Sequence, residues 1–183
     1  MALRRGFWSL GTEAQSYKTV LRFSKSPLFV YQQVTDIAQY SQFLRWCTSS
    51  KVLLRREDYC EAELTIGFPP LSQSYVSQVY LKSPSSVLSK SPKNALFETL
   101  ESSWELHPPA AALQSSADRV EVTECEAHYS LTFQFASPLY NSLSRLAFDM
   151  VCVETSKAFL KRIEAMPGNA KCAYSPKSGK YVE

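Results

Sequence analysis

Between Tyr129 and Met166 the hydrophobic period of the chain changes from two to about 3.6, and no other feature restricts the fold as much. Tyr129, Leu131, Phe133 and Phe135 point one way while Ser130, Thr132 and Gln134 point the other, as in a half-buried strand. The stretch from Ser137-Pro138 to Met166 then spaces Leu139, Leu143, Leu146, Ala147, Met150, Val151, Ala158 and Phe159 as one wide apolar helix face. Asn141, Ser144, Arg145, Asp149, Lys157 and Lys161 populate the rest, and Pro167-Gly168 stops the helix. At 1.5 Å per residue it is roughly 40 Å long. A helix of that kind must bury its face, and the rest of the chain offers mainly strands.

Tyr17 to Ser24 reads as a first strand. Ser26-Pro27 then supplies an N-cap and a favoured first helical residue. Phe29, Val30, Gln33, Val34, Ile37 and Tyr40 follow at helical spacing, with Asp36 splitting the segment into two short helices. From Ser49 the period is two: Cys60, Ala62, Leu64 and Ile66 alternate with Glu61, Glu63 and Thr65. Tyr75 to Lys82, Ser86 to Lys90 and Thr99 to His107 continue as strands. "HPPAAALQSSAD" reads as a loop. Val120 and Val122 lie out of phase with Tyr129, which predicts a β-bulge between Thr123 and Cys125. The order is β, two short α, about six antiparallel strands and one long α. This is an α+β fold in which a curved antiparallel sheet wraps around the long C-terminal helix. The space between them is lined by the inward residues of both.

With 183 residues, 45% hydrophobic and 13% aromatic, the chain suits one domain, read here as 17–166. The first 23 residues hold Arg4, Arg5, Lys18 and Arg22 against Glu13 alone and weakly resemble a mitochondrial presequence, and residues 1–16 read as an N-terminal targeting or flexible segment. Residues 167–183, rich in Pro, Gly, Ser and Lys, read as a flexible basic tail. A net charge of +3 with thinly spread Lys and Arg falls short of a nucleic-acid footprint. No apolar run reaches the roughly 18 residues of a membrane span. Cys47, Cys60, Cys125, Cys152 and Cys172 show no C-x-x-C spacing and read as free buried thiols. With only His107 and His128 beside them, no metal site is expected. The tip Phe68-Pro69-Pro70-Leu71, between two strands, carries no charge where turns are usually polar.

Four stretches carry a resemblance: "YSQFLRWC" (Tyr40 to Cys47), "GFPPLSQSYVSQV" (Gly67 to Val79), "LFETLESSWELHP" (Leu96 to Pro108) and "LTFQFASPLYNSLSRLAFD" (Leu131 to Asp149). In this order they resemble the mitochondrial coenzyme Q-binding proteins of the START-like, helix-grip superfamily. Arg45 stands where that family usually has proline, and Gln73 where it has an acidic residue. The resemblance implies a START-like helix-grip fold that binds ubiquinone, or another polyprenyl quinone, as its ligand and needs no further cofactor. It implies a lipid chaperone and not a catalyst, serving respiratory electron transport and efficient coenzyme Q biosynthesis. It places the protein peripherally at the matrix side of the mitochondrial inner membrane, with respiratory-chain or quinone-biosynthesis proteins as partners and no nucleic acid.

Leu64, Leu100, Trp104, Tyr129, Leu131, Phe133 and Phe135 are the candidate pocket wall, joined by Phe43, Trp46, Phe68 and Tyr75 from the motifs. Leu146, Met150 and Val151 are the candidates from the helix. Each can equally fill a core; together, so many aromatic faces suit a flat quinone ring. Phe68, Pro69, Pro70 and Leu71 are candidates for a stiff apolar lip touching the bilayer, or for core plugs. Two other readings compete. A polyketide-cyclase-type enzyme would draw on Cys47, His107, His128 or Glu101, but no nucleophile-base spacing stands out, so no catalytic residue is assigned. A ribosome- or protein-binding module, as in a ribosome-associating toxin of the same fold, would need a basic face.

Overall fold

The computed structural model describes residues 14–68, 71–136 and 141–182; at 68, 71 and 141–149 it describes the backbone alone. Its elements run β1 (Gln15–Phe23), α1 (Pro27–Thr35), a 3₁₀ turn (Ile37–Gln39), α2 (Tyr40–Phe43), β2 (Cys47–Arg55), β3 (Tyr59–Phe68), β4 (Leu71–Lys82) and β5 (Ser86–Ser91). They continue with β6 (Phe97–His107), α3 (Ala110–Leu113), β7 (Val120–Glu121), β8 (Cys125–Phe135), α4 (Asn141–Ala165), β9 (Ala173–Ser175) and β10 (Lys180–Val182). Seven strands form one sheet in the order β1-β8-β6-β5-β4-β3-β2, each pair antiparallel. This is the expected α+β arrangement, with α4 lying across the sheet's concave face.

The local chemistry matches the elements. Ser26 Oγ accepts the Phe29 amide hydrogen at 3.2 Å and Pro27 opens α1. Asp36 leaves helical geometry at φ −82°, ψ 61°, which parts α1 from the turn and α2. Phe29, Val30, Tyr31 and Val34 bury the inner side of α1, which plugs the sheet where β1 ends. There the end of α4 is latched down. The Ser24 amide donates to Glu164 at 2.7 Å, the Lys25 ammonium to the carbonyls of Met166 (2.9 Å) and Gly168 (2.6 Å), and the Ser26 amide to Asn169 Oδ1 (2.8 Å).

Four expectations are corrected. The segment from residue 167, expected to be a flexible tail, is structured through residue 182, the last one described. β9 and β10 pair as a hairpin, β9 pairs with β7, and Cys172, Ala173 and Tyr174 are buried. Tyr174 and Tyr181 supply apolar area that average composition hides; they close over Val122 and Ala112, and the Tyr181 hydroxyl donates to the Leu106 carbonyl at 2.8 Å. The phase change before Tyr129 is no bulge either: β7 belongs to this second, three-stranded sheet, and the main sheet resumes only at Cys125. The segment after His107 holds one helical turn, α3, and is not loop throughout. Gln15 and Ser16, assigned to the leading segment, are already in β1; the earlier part of that segment, through residue 13, lies outside the described residues.

Candidate ligand-binding site

Alternation and register decide which side chains look toward α4. Along β8 they are Cys125, Ala127, Tyr129, Leu131 and Phe133. Their partners on β6 are Leu106 beside Ala127, Trp104 beside Tyr129, Ser102 beside Leu131 and Leu100 beside Phe133. Further across, Ser89, Ser77 and Ala62 continue the concave face through β5, β4 and β3, with the Ser77 and Ser89 hydroxyls bonded at 2.5 Å. The middle of the sheet therefore carries small side chains under the helix. From above, α4 presents Cys152, Ser156, Phe159 and Ile163, all buried at helical spacing; the Ser156 hydroxyl is satisfied by the Cys152 carbonyl at 2.9 Å.

Burial along this inner face is graded. At the end latched by α1, Cys60, Val79, Leu81, Val87, Leu106, Cys125 and Ala127 are buried. Trp104 and Tyr129 follow, 3% and 4% exposed, with rings 4.5 Å apart and Phe159 4.9 Å above the indole. Toward the other end, where the β3–β4 turn lies, Tyr17, Leu64, Tyr75, Leu100, Leu131 and Phe135 face inward yet are only half-buried. Phe97 anchors a second aromatic group there: Tyr75 and Phe135 are each 5.5 Å away and Phe133 6.1 Å. Trp104 and Tyr129 thus form a packed floor, and the half-buried residues form an apolar wall above it.

Burial also raises the hydroxyl pKa of Tyr40, Tyr75 and Tyr129 above the ordinary tyrosine value, so all three stay neutral. All five cysteines are free and buried; burial pushes the Cys47 thiol up to about 11 and Cys125 up to about 12, and raises Cys60 and Cys172 as well.

Of the residues singled out in the sequence, Leu64, Tyr75, Leu100, Trp104, Tyr129, Leu131, Phe133 and Phe135 belong to the hydrophobic clusters of the inner face. Phe43 is half-buried against Phe159 at 5.0 Å, under the Arg162 guanidinium. Trp46 sits at the rim with the Arg45 guanidinium 5.1 Å over its ring. With Phe43, Leu44, Glu154, Thr155 and Ala158 these two border a cleft of about 80 Å³, far below the roughly 300 Å³ at which ligand pockets begin. Met150 is corrected: it is 45% exposed, because it stands two residues (about 200°) round the helix from Cys152. Val151 is half-buried. The Leu146, Phe68 and Leu71 side chains, and Pro69 and Pro70 entirely, lie outside the described residues. Phe97 and Tyr17 are inner-face residues that the sequence reading missed, while Phe159 and Tyr40, read on apolar helix faces, were not named as site residues. For Phe97 the cause is a register shift at Glu98, which puts both Phe97 and Leu100 inward against simple alternation.

A seven-stranded antiparallel sheet closed over one long helix defines a helix-grip protein of the START-like class. The solved structure of the Zhui aromatase/cyclase from Streptomyces sp. R1128 shares the fold at a TM-score of 0.67 and 9% identity, over 83% of this chain and 94% of that one. The chain belongs to the family described as polyketide cyclase / dehydrase and lipid transport, whose model matches residues 24–160, and within it to the group of the mitochondrial coenzyme Q-binding proteins. It is 33% identical to the coenzyme Q-binding protein of Eremothecium gossypii over 166 residues, 86% of this chain and 76% of that protein. To its counterpart in Drosophila melanogaster it is 30% identical over 139 residues, 76% of this chain, and spans little more than half (54%) of that relative. The ribosome association toxin of Pseudomonas aeruginosa is 28% identical over 139 residues, 76% of this chain and 88% of the toxin.

Proposed function

We propose that this protein binds a polyprenyl quinone, ubiquinone foremost, between the concave sheet and α4, and carries it chemically unchanged. The observation behind the reading is the gradient of burial: large apolar side chains turned inward at Leu64, Tyr75, Leu100 and Leu131 remain partly exposed, whereas Trp104, Leu106 and Tyr129 are buried. Apolar surface in that position is stabilised by an apolar guest. The names of the fly and fungal relatives, coenzyme Q-binding proteins, supply the class of guest. The quinone ring rests near the aromatic group around Phe97, with the Tyr75 and Tyr129 hydroxyls as donors for its carbonyl oxygens.

The tail gains about 0.8 kcal/mol per methylene on burial in protein, but it has that already in lipid, so extraction is near neutral and the ring contacts decide it. A long tail overfills a domain of this size and its end stays in the bilayer. The exit is the end of the sheet at the β3–β4 turn, where Phe68, Pro69, Pro70 and Leu71 form the membrane lip. No helix among the described residues is long and apolar enough to cross a membrane, which fits peripheral attachment. The setting is the matrix face of the mitochondrial inner membrane, and the role is supply of quinone to respiratory electron transport and to quinone biosynthesis. The raised pKa of the buried Cys47 thiol, and histidines on the outer face of the sheet, argue against a cyclase-type catalyst.

Organic extraction of freshly purified protein tests the reading. The expected extract shows the ultraviolet band of a quinone and a mass matching a polyprenyl benzoquinone. An extract without quinone, from protein that also takes none up from quinone-loaded vesicles, overturns it.

A further inference from the structure

The outer face of the sheet carries a group of side chains that the quinone reading leaves unused. Trp104, Leu106, Ala127 and Tyr129 point inward, so Glu105, His107, Glu126 and His128 point outward. In the β6–β8 register Glu105 stands opposite His128, and His107 opposite Glu126. Two imidazoles and two carboxylates thus occupy the corners of one small square, each histidine diagonal to the other. The imidazole rings are 4.8 Å apart, His107 Nε2 lies 3.8 Å from Glu105, and His128 Nε2 lies 3.2 Å from Glu126. One ligand atom from each of Glu105, His107 and His128 lies within 4.8 Å of the other two.

We propose that Glu105, His107 and His128 form a surface site for a divalent transition metal of the zinc class, clamping the end of β6 to β8. Zinc bonds of about 2.0–2.1 Å place tetrahedral ligands roughly 3.3 Å from one another. The three ligand atoms reach that spacing by closing 1.5 Å or less, which side chains 62% (Glu105), 45% (His107) and 48% (His128) exposed achieve by rotamer change alone. Two imidazoles with one carboxylate select zinc, nickel or copper over magnesium and calcium, which prefer all-oxygen shells. Glu126 completes the surroundings. It is held by the Arg22 guanidinium at 3.2 Å and lies 3.2 Å from His128 Nε2. Glu126 is thereby oriented beside the site, where it can hold the ring of a ligating histidine or take the fourth position. The strands themselves are set by backbone pairing and the core beneath, so the site is preformed at the level of Cα positions.

The test uses the full chain, stripped with a chelator and titrated calorimetrically with zinc, then with calcium and magnesium. One equivalent of zinc binds with micromolar affinity, and the unfolding midpoint rises with zinc concentration. His107→Ala and His128→Ala each weaken zinc by roughly tenfold or more while leaving the metal-free unfolding midpoint and quinone content unchanged. Glu101→Gln, elsewhere on the outer face and paired with Lys90 at 2.9 Å, leaves zinc affinity as it was. No saturable zinc binding, binding that survives the double histidine variant, or equal binding of calcium or magnesium each overturns the proposal.

Discussion

Leu100 and Leu106 lie on the same strand and face the same way, but only Leu106 is covered, at 2% exposure. Leu106→Ala opens a cavity in a closed layer and lowers stability by about 2–5 kcal/mol. Leu100→Ala removes surface that is half-open, so it lowers stability by about half as much or less yet reduces the quinone recovered on extraction severalfold. Denaturant unfolding together with quinone assay of both variants checks this. Equal stability losses, with quinone unaffected by Leu100→Ala, would contradict the gradient of burial as a ligand site. Thiol burial gives a second outcome. Folded Cys47 and Cys125 keep their protons more tightly than the unfolded chain does, so their contribution to stability is complete below about pH 9. It is lost as pH rises through about 11 and about 12. Unfolding midpoints measured from pH 7 to 11 fall above about pH 9, and Cys47→Ala flattens the decline. At this scale the sequence was legible wherever alternation held, as at Tyr129, Leu131 and Phe133. It failed at Phe97 because of the shift at Glu98. It also failed at His107 and His128, whose proximity exists only in the β6–β8 register.

The hairpin of β3 and β4 depends on a close approach that only glycine allows. A Cβ on Gly67 would lie 2.6 Å from Thr48 Cγ2 on the neighbouring β2, while the Thr48 hydroxyl donates to the Thr65 carbonyl at 3.2 Å. The Gly67 amide also donates to the Trp46 carbonyl at 2.9 Å, tying the hairpin end to the α2–β2 turn. Gly67→Ala therefore pushes β3 from β2 and costs about 1–3 kcal/mol, as overpacking does. Adding Thr48→Ser removes the clashing methyl, keeps the hydroxyl bond and restores most of the loss. A double variant no more stable than Gly67→Ala would show that the clash is not the reason for the glycine. Elements were readable where capping and period agreed: Ser26-Pro27 at the start of α1, Asp36 at its end, and Pro167-Gly168 after α4. The hairpin of β9 and β10 was not, because three-residue strands carry no period and their pairing with β7 spans about 50 residues.

For the molecule as a whole, one long helix among antiparallel strands leaves few arrangements, and the helix-grip fold follows from that order of elements. The position of a guest inside it does not. It depends on which inward residues α4 covers and which it leaves half-open, a matter of helix rotation and sheet curvature. Met150 and Cys152 show how little separates the alternatives: two residues apart, one faces out and the other is sealed against Phe97 and Phe133. The measurement that bears most directly on the central claim is photo-crosslinking with a quinone analogue carrying a photoreactive ring substituent, mapped by peptide mass spectrometry. The account predicts adducts on the inner face at the open end, in peptides holding Leu64, Tyr75, Leu100 and Leu131, competed away by unlabelled quinone. Adducts confined to the outer face, or undiminished by competitor, would contradict it.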